Sequence, residues 1–356
     1  MGVSIVPAAD AVPHLAEYDA VIDVRSPAEF ADDHLPGAVN WPVLDDAQRH
    51  EVGTLYKQVS PLEARKLGAA LVARNIAAHL ERDIGPVSRE WKPLVYCWRG
   101  GQRSGALAWF LGQIGFRTAQ LGGGYKAYRE GVRRELEALP AALDLRVLCG
   151  RTGSGKTRLL QALKAEGAQV LDLEALASHR GSVLGGLPNE PQPSQKRFDS
   201  LLWQAMKALD TSKPVFVESE SRKIGRIQVP EALLVQMRDK GQCLHIEMPM
   251  AARVRLLLED YAFFADDPEA FAKLLDPLLE VRGKALVHAW QQAARDGQWA
   301  ALFGDLMREH YDPLYDRSMG RNFKSLAGAP LVDLADGEAE SLRAAARALV
   351  GPSASC

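Results

Sequence analysis

The sequence is poor in cysteine. Only Cys97, Cys149, Cys243 and Cys356 occur in 356 residues, and no two of them form a C-x-x-C pair. No histidine lies at a spacing that would complete a metal site with them, so the pattern argues against a zinc module and against a disulfide framework. Isolated cysteines of this kind are typical of a reducing compartment, and we expect a cytoplasmic location.

The sequence also lacks a long apolar run. The N-terminal stretch MGVSIVPAADAVPHL has no basic segment followed by an apolar one, which argues against a secretory signal peptide. No uncharged apolar segment is long enough to cross a bilayer. We therefore expect no membrane partner.

Neither sign of charge is in excess. The chain has 43 Lys and Arg against 45 Asp and Glu, a net charge of −2, which excludes a uniformly basic coat for a polyanion. The charges are unevenly spread, however, because residues 1–50 sum to −7 and residues 51–140 to +6. The balance is therefore compatible with a directional, salt-sensitive contact with a nucleic acid.

A mass of 38.9 kDa and 47% hydrophobic residues indicate a globular protein of two domains. Short apolar runs alternate with segments of helical spacing, and this alternation predicts α/β domains with largely parallel sheets. The predicted strands are AVIDV (20–24), LVYC (94–97), RVLC (146–149), QVLDL (169–173), VFVE (215–218) and LHIEM (244–248).

One stretch interrupts this rhythm. Residues 45–91 contain no convincing strand, and LEARKLGAALVARNIAAHLE (62–81) predicts a long amphipathic helix, so we place a helical insertion there. Pro140 follows a charged helix shortly before a new strand begins at Arg146. We therefore predict a first domain at residues 1–139 and a second at 140–356, the latter with a C-terminal helical region.

The most conspicuous cysteine is Cys97, which ends the run LVYC and is followed by WRGGQRSGALAWFLGQIG. A loop that enters a helix points backbone N–H groups at the sulfur and lowers its pKa. Arg99 and Arg103 add positive charge, and Gly100 and Gly101 let the backbone curl around an anion. Such a thiolate suits carrying sulfur or selenium, or attacking phosphorus. The alternative, a small buried hydrophobe, explains neither the paired glycines nor the paired arginines.

A second loop, GRTGSGKT (150–157), fits the pattern G-x-x-x-x-G-K-[ST] between a predicted strand and a predicted helix. Backbone amides of such a loop wrap phosphate oxygens, the lysine supplies a mobile cation, and the threonine is placed to bind Mg²⁺. The pattern predicts a phosphate or diphosphate site, but not hydrolysis. The predicted binding residues are Gly150, Gly153, Ser154, Gly155, Lys156 and Thr157.

Acidic and basic residues follow the next two predicted strands. Asp172 and Glu174 after one, and Glu218 and Glu220 after the other, are candidates for contacts with a metal ion or water; none is assigned as a ligand of a resident metal. Three basic residues follow closely, namely Arg222, Lys223 and Arg226, and such a cluster suits an anionic substrate. The alternatives are ordinary polar residues at strand ends and a solvated loop.

The segment HYDPLYDRSMGRNFKS (310–325) mixes two tyrosines with three cations. Aromatic rings interleaved with cations stack bases and hold phosphates. The alternative is a helix that packs Tyr311 and Tyr315 inward, and the roles of both tyrosines stay open. The cations are Arg317, Arg321 and Lys324.

Three segments together resemble the rhodanese domains: DVRSPAEFADDHLPGAVNWP (23–42), CWRGGQRS (97–104) and LGGGYKAY (121–128). In that family the loop cysteine carries a persulfide, and His34 lies in a signature stretch where we expect a structural role. The spacing from Cys97 to Arg103 is one residue longer than in ordinary sulfurtransferases and equals that of related phosphatases. The longer loop suits a phosphate-sized anion.

The fusion of a rhodanese-like domain that carries a helical insertion to a P-loop domain resembles one family, the tRNA 2-selenouridine synthases. The resemblance covers essentially the whole chain and implies exchange of sulfur for selenium in wobble 2-thiouridine of tRNA, with selenophosphate as donor. It also implies S-geranylation by geranyl diphosphate, which makes the sulfur a better leaving group.

This resemblance implies roles for both loops. Cys97 would be essential for selenation, would carry selenium as a selenosulfide, and would be assisted by Arg99, Arg103 and the Gly100–Gly101 amides. The P-loop would bind the prenyl diphosphate, with Mg²⁺ as a further candidate and the binding of ATP left open. A selenophosphate-supplying enzyme is an expected partner.

Two other classes of function remain open from the residues alone. One is a P-loop kinase or NTPase in which the rhodanese module is regulatory; ATP turnover without tRNA would favour it. The other is a cysteine-dependent phosphatase-like protein, or an idle anion-binding module; hydrolysis of an aryl phosphate that depends on Cys97 would favour the phosphatase.

Overall fold

The computed structural model describes residues 2–182, 184–186 and 190–351. Cys356 lies outside the described residues. The chain folds into two compact units: the first runs to Glu135 and also takes in Pro193–Gln204, and the second contains Leu136–Gln192 and the chain from Ala205 onward. The division near residue 135 lies close to the predicted boundary, but the sequence pattern did not indicate that Pro193–Gln204 belongs with the first unit.

The strands of both units are short. In chain order they are β1 (Ser4–Pro7), β2 (Ala20–Asp23), β3 (Ala38–Asn40), β4 (Pro93–Tyr96), β5 (Ala119–Gly122), β6 (Leu145–Cys149), β7 (Gln169–Leu171), β8 (Val215–Glu218), β9 (Lys223–Ile224), β10 (Ile227–Gln228), β11 (Gln242–Glu247) and β12 (Leu331–Asp333). All six predicted strands are present; the bounds of 215–218 agree with those of β8, and the other five differ by one or two residues.

Helices connect these strands. The α-helices are α1 (Ala8–Ala11), α2 (Pro27–Asp32), α3 (Asp46–Gln58), α4 (Pro61–Asp83), α5 (Gln102–Ile114), α6 (Gly124–Ala138), α7 (Lys156–Ala165), α8 (Leu173–Ala177), α9 (Gln195–Lys207), α10 (Glu231–Val235), α11 (Met250–Asp260), α12 (Pro268–Leu274), α13 (Leu279–Arg282), α14 (Lys284–Arg295), α15 (Trp299–Leu306), α16 (Asp312–Asn322) and α17 (Ala339–Val350). The 3-10 turns are Val12–Glu17, Leu139–Ala142, Ala262–Asp266, Asp276–Leu278 and Leu326–Gly328, and the π-helical turns are Gln236–Lys240 and Met307–Tyr311.

The first unit is built on a parallel sheet of order β1-β5-β4-β2-β3. Its core joins Ile22 and Val95 from the sheet to Leu107 and Leu111 from α5. The predicted helical insertion is confirmed, because α3 and α4 fill residues 46–83 and α4 covers the predicted amphipathic segment. The central strand β4 delivers Cys97 at its carboxyl end.

The second unit is built on a parallel sheet of order β12-β11-β6-β8-β7. One face packs Leu148 and Phe216 against Leu159 and Leu163 of α7. The central strand β6 leads directly into the predicted phosphate loop. Crevices at the carboxyl ends of parallel strands are the usual ligand sites of such sheets.

The predicted C-terminal helical region is present but does not run to the end of the chain. Helices α11 to α15 pack around Phe271, Trp290 and Phe303. After α16 the chain returns to the sheet, where β12 pairs with β11 and α17 packs beside α7. Residues 331–350 therefore complete the α/β layer.

None of the described helices is long and apolar enough to cross a membrane.

Candidate active sites

The first site surrounds Cys97, which is 4% exposed at the end of β4. The backbone N–H of Gly101 donates a hydrogen bond of 3.3 Å to its sulfur, and the Ser104 hydroxyl donates another of 3.2 Å. Gly101 is the N-cap of α5. The predicted alignment of a backbone amide and a helix N-terminus with the sulfur is therefore present.

The pKa of the Cys97 thiol is the result of opposing effects. Burial raises this pKa, whereas hydrogen bonds from Ser104 and Gly101 and the positive charge of Arg103 lower it. The net effect is a pKa below the ordinary value of a cysteine. Since the thiolate is the nucleophilic form, the site favours a reactive sulfur.

The two loop glycines differ in their constraints. Gly100 has a φ of 64°, and a Cβ atom there would lie 2.4 Å from the carbonyl oxygen of Leu121. Gly101 has a negative φ, and a Cβ atom there would meet nothing within 4 Å. Gly100 therefore permits the close approach of the loop to β5, whereas Gly101 contributes its amide.

Gln120 on β5 fixes the loop from the opposite side. Its side-chain amide donates to the Gly100 carbonyl at 2.8 Å, to the Gly101 carbonyl at 3.2 Å and to the Ser104 hydroxyl at 2.9 Å. Sequence reasoning missed both Gln120 and the bond from Ser104. Ser104 lies inside the segment CWRGGQRS, but nothing in the sequence indicates that β5 lies beside this loop.

The two predicted arginines have different surroundings. Arg103 is partly buried and forms a 2.9 Å ion pair with Glu29 of α2. Arg99 is exposed on the loop. Arg103 thus adds charge from a fixed position, whereas Arg99 lies at the surface where an incoming anion would approach.

The signature segment around residue 25 has a structural role. Arg25 and Asp23 form a buried ion pair of 2.6 Å, and Arg25 also donates to the Asp33 carbonyl at 2.6 Å. His34 stacks on Phe30 with a centroid distance of 4.0 Å, and its Nδ1 lies 2.9 Å from the Phe30 carbonyl oxygen. Both contacts hold the His34 ring against α2, as the predicted structural role requires.

The returning segment Pro193–Gln204 contacts this framework within the first unit. The Ser200 hydroxyl donates a hydrogen bond of 2.8 Å to the buried carboxylate of Asp33. The same carboxylate accepts a hydrogen bond of 2.9 Å from the Tyr125 hydroxyl. Tyr125 in turn donates its backbone N–H to the Cys97 carbonyl at 2.9 Å. A chain of three contacts therefore leads from the segment to the cysteine loop.

The second site is the phosphate loop after β6. Gly153 and Gly155 have φ values of 75° and 78°, and Gly155 is the N-cap of α7. The Lys156 ammonium donates 2.7 Å to the carbonyl of Gly150, and the Ser154 hydroxyl is buried without a hydrogen-bond partner. The structure thus brings the predicted loop residues together in a strand–loop–helix arrangement.

The loop opens into a cavity of about 700 Å³ that lies wholly in the second unit. Its polar side contains Thr152 to Arg158 and the residues that follow β8. Its apolar lining comes from other helices and consists of Leu256, Leu257, Tyr261, Leu314, Met319 and Phe323. This composition suits a ligand with a charged head and an apolar body.

Three carboxylates meet beside Thr157. Oxygen atoms of Glu174, Glu218 and Glu220 lie within 4.8 Å of one another, and the Thr157 hydroxyl donates 3.4 Å to Glu174. Burial and the neighbouring charges of Glu218 and Glu220 raise the pKa of Glu174 to about 10, and burial and Glu218 raise the pKa of Glu220 to about 8. Mutual repulsion of this kind is relieved by a cation.

These residues fit a divalent ion. Glu218 is 3% exposed, and its Oε1 atom has no hydrogen-bond partner. A hydroxyl and hard carboxylate oxygens are ligands that Mg²⁺ prefers. The site could therefore hold Mg²⁺ through Thr157 and the carboxylates, which the sequence had indicated as candidates for metal contacts without assigning a resident metal.

Two further predicted residues are not among the residues that line the cavity. Asp172 is the N-cap of α8 and accepts 2.9 Å from the Ala175 N–H. Arg222 is exposed beside the β9–β10 hairpin. Of the charged residues proposed around this loop, the structure brings Glu174, Glu218 and Glu220 to it.

The tyrosines and cations of residues 310–325 separate in space. Tyr311 and Tyr315 line the cavity, and the Lys156 ammonium lies 5.9 Å from the Tyr315 ring centroid. Arg317, Arg321 and Lys324 are exposed, with Lys324 paired to Asp239 at 3.0 Å. The tyrosines thus face the ligand cavity, whereas the three cations do not line it.

Three arginines near the phosphate loop were missed. Arg180 and Arg238 line the cavity. Arg253 is 4% exposed, and its guanidinium donates hydrogen bonds to the Thr152 carbonyl (2.7 Å) and to the Asp312 carboxylate (2.6 Å). These two bonds fix the loop to α16. No sequence signal reveals these arginines, because they come from separate segments of the chain.

Comparison with family models agrees with the two units. A model of the rhodanese-like domain matches residues 8–131, and a model described as the tRNA 2-selenouridine synthase AAA domain matches residues 143–276. The two matches cover the cysteine loop and the phosphate loop respectively.

Similar proteins span both units. The chain is 34% identical over 336 residues to the tRNA 2-selenouridine synthase of Alcanivorax borkumensis, covering 85% of this chain and 90% of that protein. It is 33% identical over 333 residues to the enzyme of the same name from a Sulfurovum species, with coverages of 85% and 89%. A Nitrosomonas europaea relative of that name is 38% identical over 245 residues, which is 68% of this chain and 63% of the relative. With these matches and both domains in place, the chain belongs to the tRNA 2-selenouridine synthase family.

Proposed function

We propose that this chain replaces the sulfur of wobble 2-thiouridine in tRNA by selenium, with selenophosphate as donor and an S-geranylated nucleoside as intermediate. The observation that carries the proposal is the presence of two anion sites of different chemistry, one around a nucleophilic sulfur and one beside an apolar cavity. The names of the relatives supply the substrate class. The residues of each site support the division of labour that we propose between the two sites.

The phosphate loop suits the prenyl donor. Amides from Gly153 to Gly155 and the Lys156 ammonium bind the diphosphate, as in other loops of this pattern. Leu257 and Tyr261 offer an apolar wall to the prenyl chain. The sulfur of the tRNA base attacks the prenyl carbon as the carbon–oxygen bond to diphosphate breaks, and the diphosphate leaves with the electron pair.

Mg²⁺ would be held by Thr157 and the carboxylates of Glu174, Glu218 and Glu220. When bound, such an ion neutralises charge that develops on a leaving diphosphate. Lys156 and the amide groups of the loop hold the same phosphates in place. Together with the apolar wall of the cavity, these side chains exclude water from the leaving group.

The cysteine loop suits the selenium donor. Selenophosphate is a phosphate-sized anion, and it would be held by the exposed Arg99 together with Arg103 and the Gly101 amide. The lowered pKa of Cys97 keeps its sulfur available as a thiolate. The selenium of selenophosphate then attacks C2 of the base, the carbon–sulfur bond breaks, and the geranylated sulfur leaves with the electron pair and is protonated to a thiol. Hydrolysis of the phosphorus–selenium bond releases phosphate and leaves selenium on the base.

Nucleoside mass spectrometry tests both halves. Wild-type protein incubated with 2-thiouridine tRNA, selenophosphate and geranyl diphosphate should give the geranylated and the selenated nucleosides. Cys97→Ser should accumulate the geranylated nucleoside alone, and Lys156→Ala should give neither product from 2-thiouridine. Cys243→Ser and Lys164→Ala, the latter on the exposed side of α7, are matched controls that should behave as wild type.

Particular outcomes would contradict the assignment. Full selenation by Cys97→Ser would show that selenation does not need the Cys97 sulfur. Full prenylation by Lys156→Ala would show that prenylation does not need the phosphate loop. Absence of both products with wild-type protein, together with ATP turnover that needs no tRNA, would favour the kinase or NTPase alternative.

The location and the supply of substrate complete the proposal. We place the enzyme in the cytoplasm, where tRNA is found and where Cys97 stays reduced. Because selenophosphate is reactive, an enzyme that makes it is the expected supplier.

A further inference from the structure

Several buried polar atoms without hydrogen-bond partners belong to residues that line the cavity of the second unit. Among the described residues, ten buried side-chain polar atoms lack a hydrogen-bond partner. Five of these atoms belong to residues that line this one cavity, namely Ser154, Glu218, Ser219, Arg238 and Tyr315. A buried polar atom without a partner costs about 1–3 kcal/mol, so this concentration indicates a polar ligand.

Two of the five have a place in the proposed donor site. Ser154 lies within the phosphate loop, and Glu218 belongs to the carboxylate cluster. The other three, Ser219, Arg238 and Tyr315, come from outside the phosphate loop and the carboxylate cluster. Ser219 follows β8, Arg238 lies in the π-helical turn Gln236–Lys240, and Tyr315 lies on α16.

The three remaining groups are all hydrogen-bond donors. Burial raises the pKa of the Tyr315 phenol well above its ordinary value, and the neighbouring Ser219 hydroxyl opposes this only in part. The phenol therefore keeps its proton at neutral pH. The guanidinium of Arg238 can only donate hydrogen bonds, its Nε–H has no partner, and among the described residues it forms no ion pair with a carboxylate.

The surroundings of these donors limit the class of ligand. Met319 on α16 and Phe323 just after it are buried, and both line the same cavity as the three donors. Apolar contacts combined with donors and a cation suit a flat ring that carries exocyclic acceptor atoms. A prenyl chain would offer no acceptor to the Nε–H of Arg238 or to the hydroxyls of Ser219 and Tyr315.

We propose that Ser219, Arg238 and Tyr315 form an acceptor subsite that binds the thiouracil ring of the tRNA substrate. This inference rests on the proposed function, because it assigns the second substrate to the cavity that holds the prenyl diphosphate. The O4 and S2 atoms of the ring accept hydrogen bonds, and the ring face packs against the apolar side chains. The subsite places the base in the same cavity as the diphosphate.

Equilibrium binding of RNA hairpins tests the subsite without turnover. One hairpin carries a single 2-thiouridine in its loop, and its partner carries an abasic residue at that position. Wild-type protein should bind the thiouridine hairpin about tenfold more tightly, as expected for hydrogen bonds that involve a charged group. Arg238→Met and Tyr315→Phe should each bring the two affinities to within twofold of each other.

Three measurements make the test specific. The affinity for geranyl diphosphate, measured by calorimetry, should stay within twofold of wild type in both variants. In the prenylation assay the KM for the hairpin should rise more than kcat falls. Lys240→Met removes a charge two residues from Arg238, at an exposed position that does not line the cavity, and it should retain the wild-type binding ratio.

The outcomes separate the subsite from the proposed function. A binding ratio unchanged in both variants would overturn the subsite, and so would a loss of geranyl diphosphate affinity without loss of the ratio. If wild-type protein shows the ratio but makes no prenylated product, the proposed function fails while the subsite stands. Thermal unfolding identifies a misfolded variant, and Tyr315→Phe, which loses only a hydroxyl, keeps the test decisive.

Discussion

The hydroxyl of Ser104 lies 3.2 Å from the sulfur of Cys97 and donates a hydrogen bond to it. The donor comes from the first turn of α5, and the acceptor directly follows β4. This bond joins the strand that delivers the nucleophile to the helix whose N-terminus stabilises it. Among the interactions that lower the pKa of Cys97, this hydrogen bond has the largest effect.

Ser104→Ala should make Cys97 less reactive near neutral pH. Loss of the donor destabilises the thiolate, so the thiol pKa moves upward and the rise of the alkylation rate with pH moves to higher pH. Selenation at neutral pH should fall by about tenfold, the effect of losing roughly 1.4 kcal/mol of thiolate stabilisation. Iodoacetamide alkylation followed over pH measures the shift.

Ser104→Thr keeps the hydroxyl and should retain part of the effect. A profile of Ser104→Ala that coincides with wild type would show that the other donors suffice.

The loop glycines should respond differently to the same substitution. Gly100→Ala places a Cβ atom 2.4 Å from the Leu121 carbonyl at a positive φ, so the loop must move and Cys97 loses its alignment. The free energy of unfolding should fall by about 1–3 kcal/mol, and the selenation activity should fall below a tenth of the wild-type activity. Gly101→Ala meets no atom within 4 Å and serves as the control, with both quantities close to wild type.

Equal loss of activity in Gly100→Ala and Gly101→Ala would show that flexibility of the loop, rather than its close approach to β5, is what matters. Urea denaturation and the selenation assay together distinguish these results.

Ser200→Ala should loosen the returning segment from the first unit. The substitution removes a donor to the buried carboxylate of Asp33, and a buried charged acceptor that loses a donor costs about 1–3 kcal/mol. Urea denaturation measures the change in the free energy of unfolding. Ser212→Ala removes a similar serine–aspartate bond at an exposed position and should cost less than about 0.5 kcal/mol.

If the two serine variants lost the same stability, the segment would not depend on Asp33.

Glu218→Gln should raise the Mg²⁺ concentration that prenyl diphosphate binding requires. The variant removes a buried negative charge from the carboxylate cluster, so the Mg²⁺ concentration for half-maximal binding should rise by about tenfold. Calorimetric titration of geranyl diphosphate at several Mg²⁺ concentrations measures this shift. Asp172→Asn keeps the helix cap and lies outside the cluster, so its Mg²⁺ dependence should stay within twofold of wild type.

If Glu218→Gln binds geranyl diphosphate with an unchanged Mg²⁺ dependence, the carboxylate of Glu218 does not contribute to Mg²⁺ binding.

Local patterns predicted most of the fold. The six apolar runs became strands, and the amphipathic segment 62–81 lies within α4, because burial of one face depends on side-chain spacing along the chain. The missed strands β1, β3 and β12 lie at sheet edges and have three or four residues, too few for a period to be recognised. The missed β5 is also short, and its Gly122 is part of a glycine run.

Both loops could be predicted from the sequence, since each is a continuous segment with a recognisable spacing. Cys97 with Gly101, and Gly150 to Thr157, needed only a strand before them and a helix after them. What surrounds these loops became visible only in the folded chain, because Gln120, Arg238 and the contact between Ser200 and Asp33 come from distant segments. Their proximity depends on how strands and helices pack, and spacing along a chain does not encode distance through space.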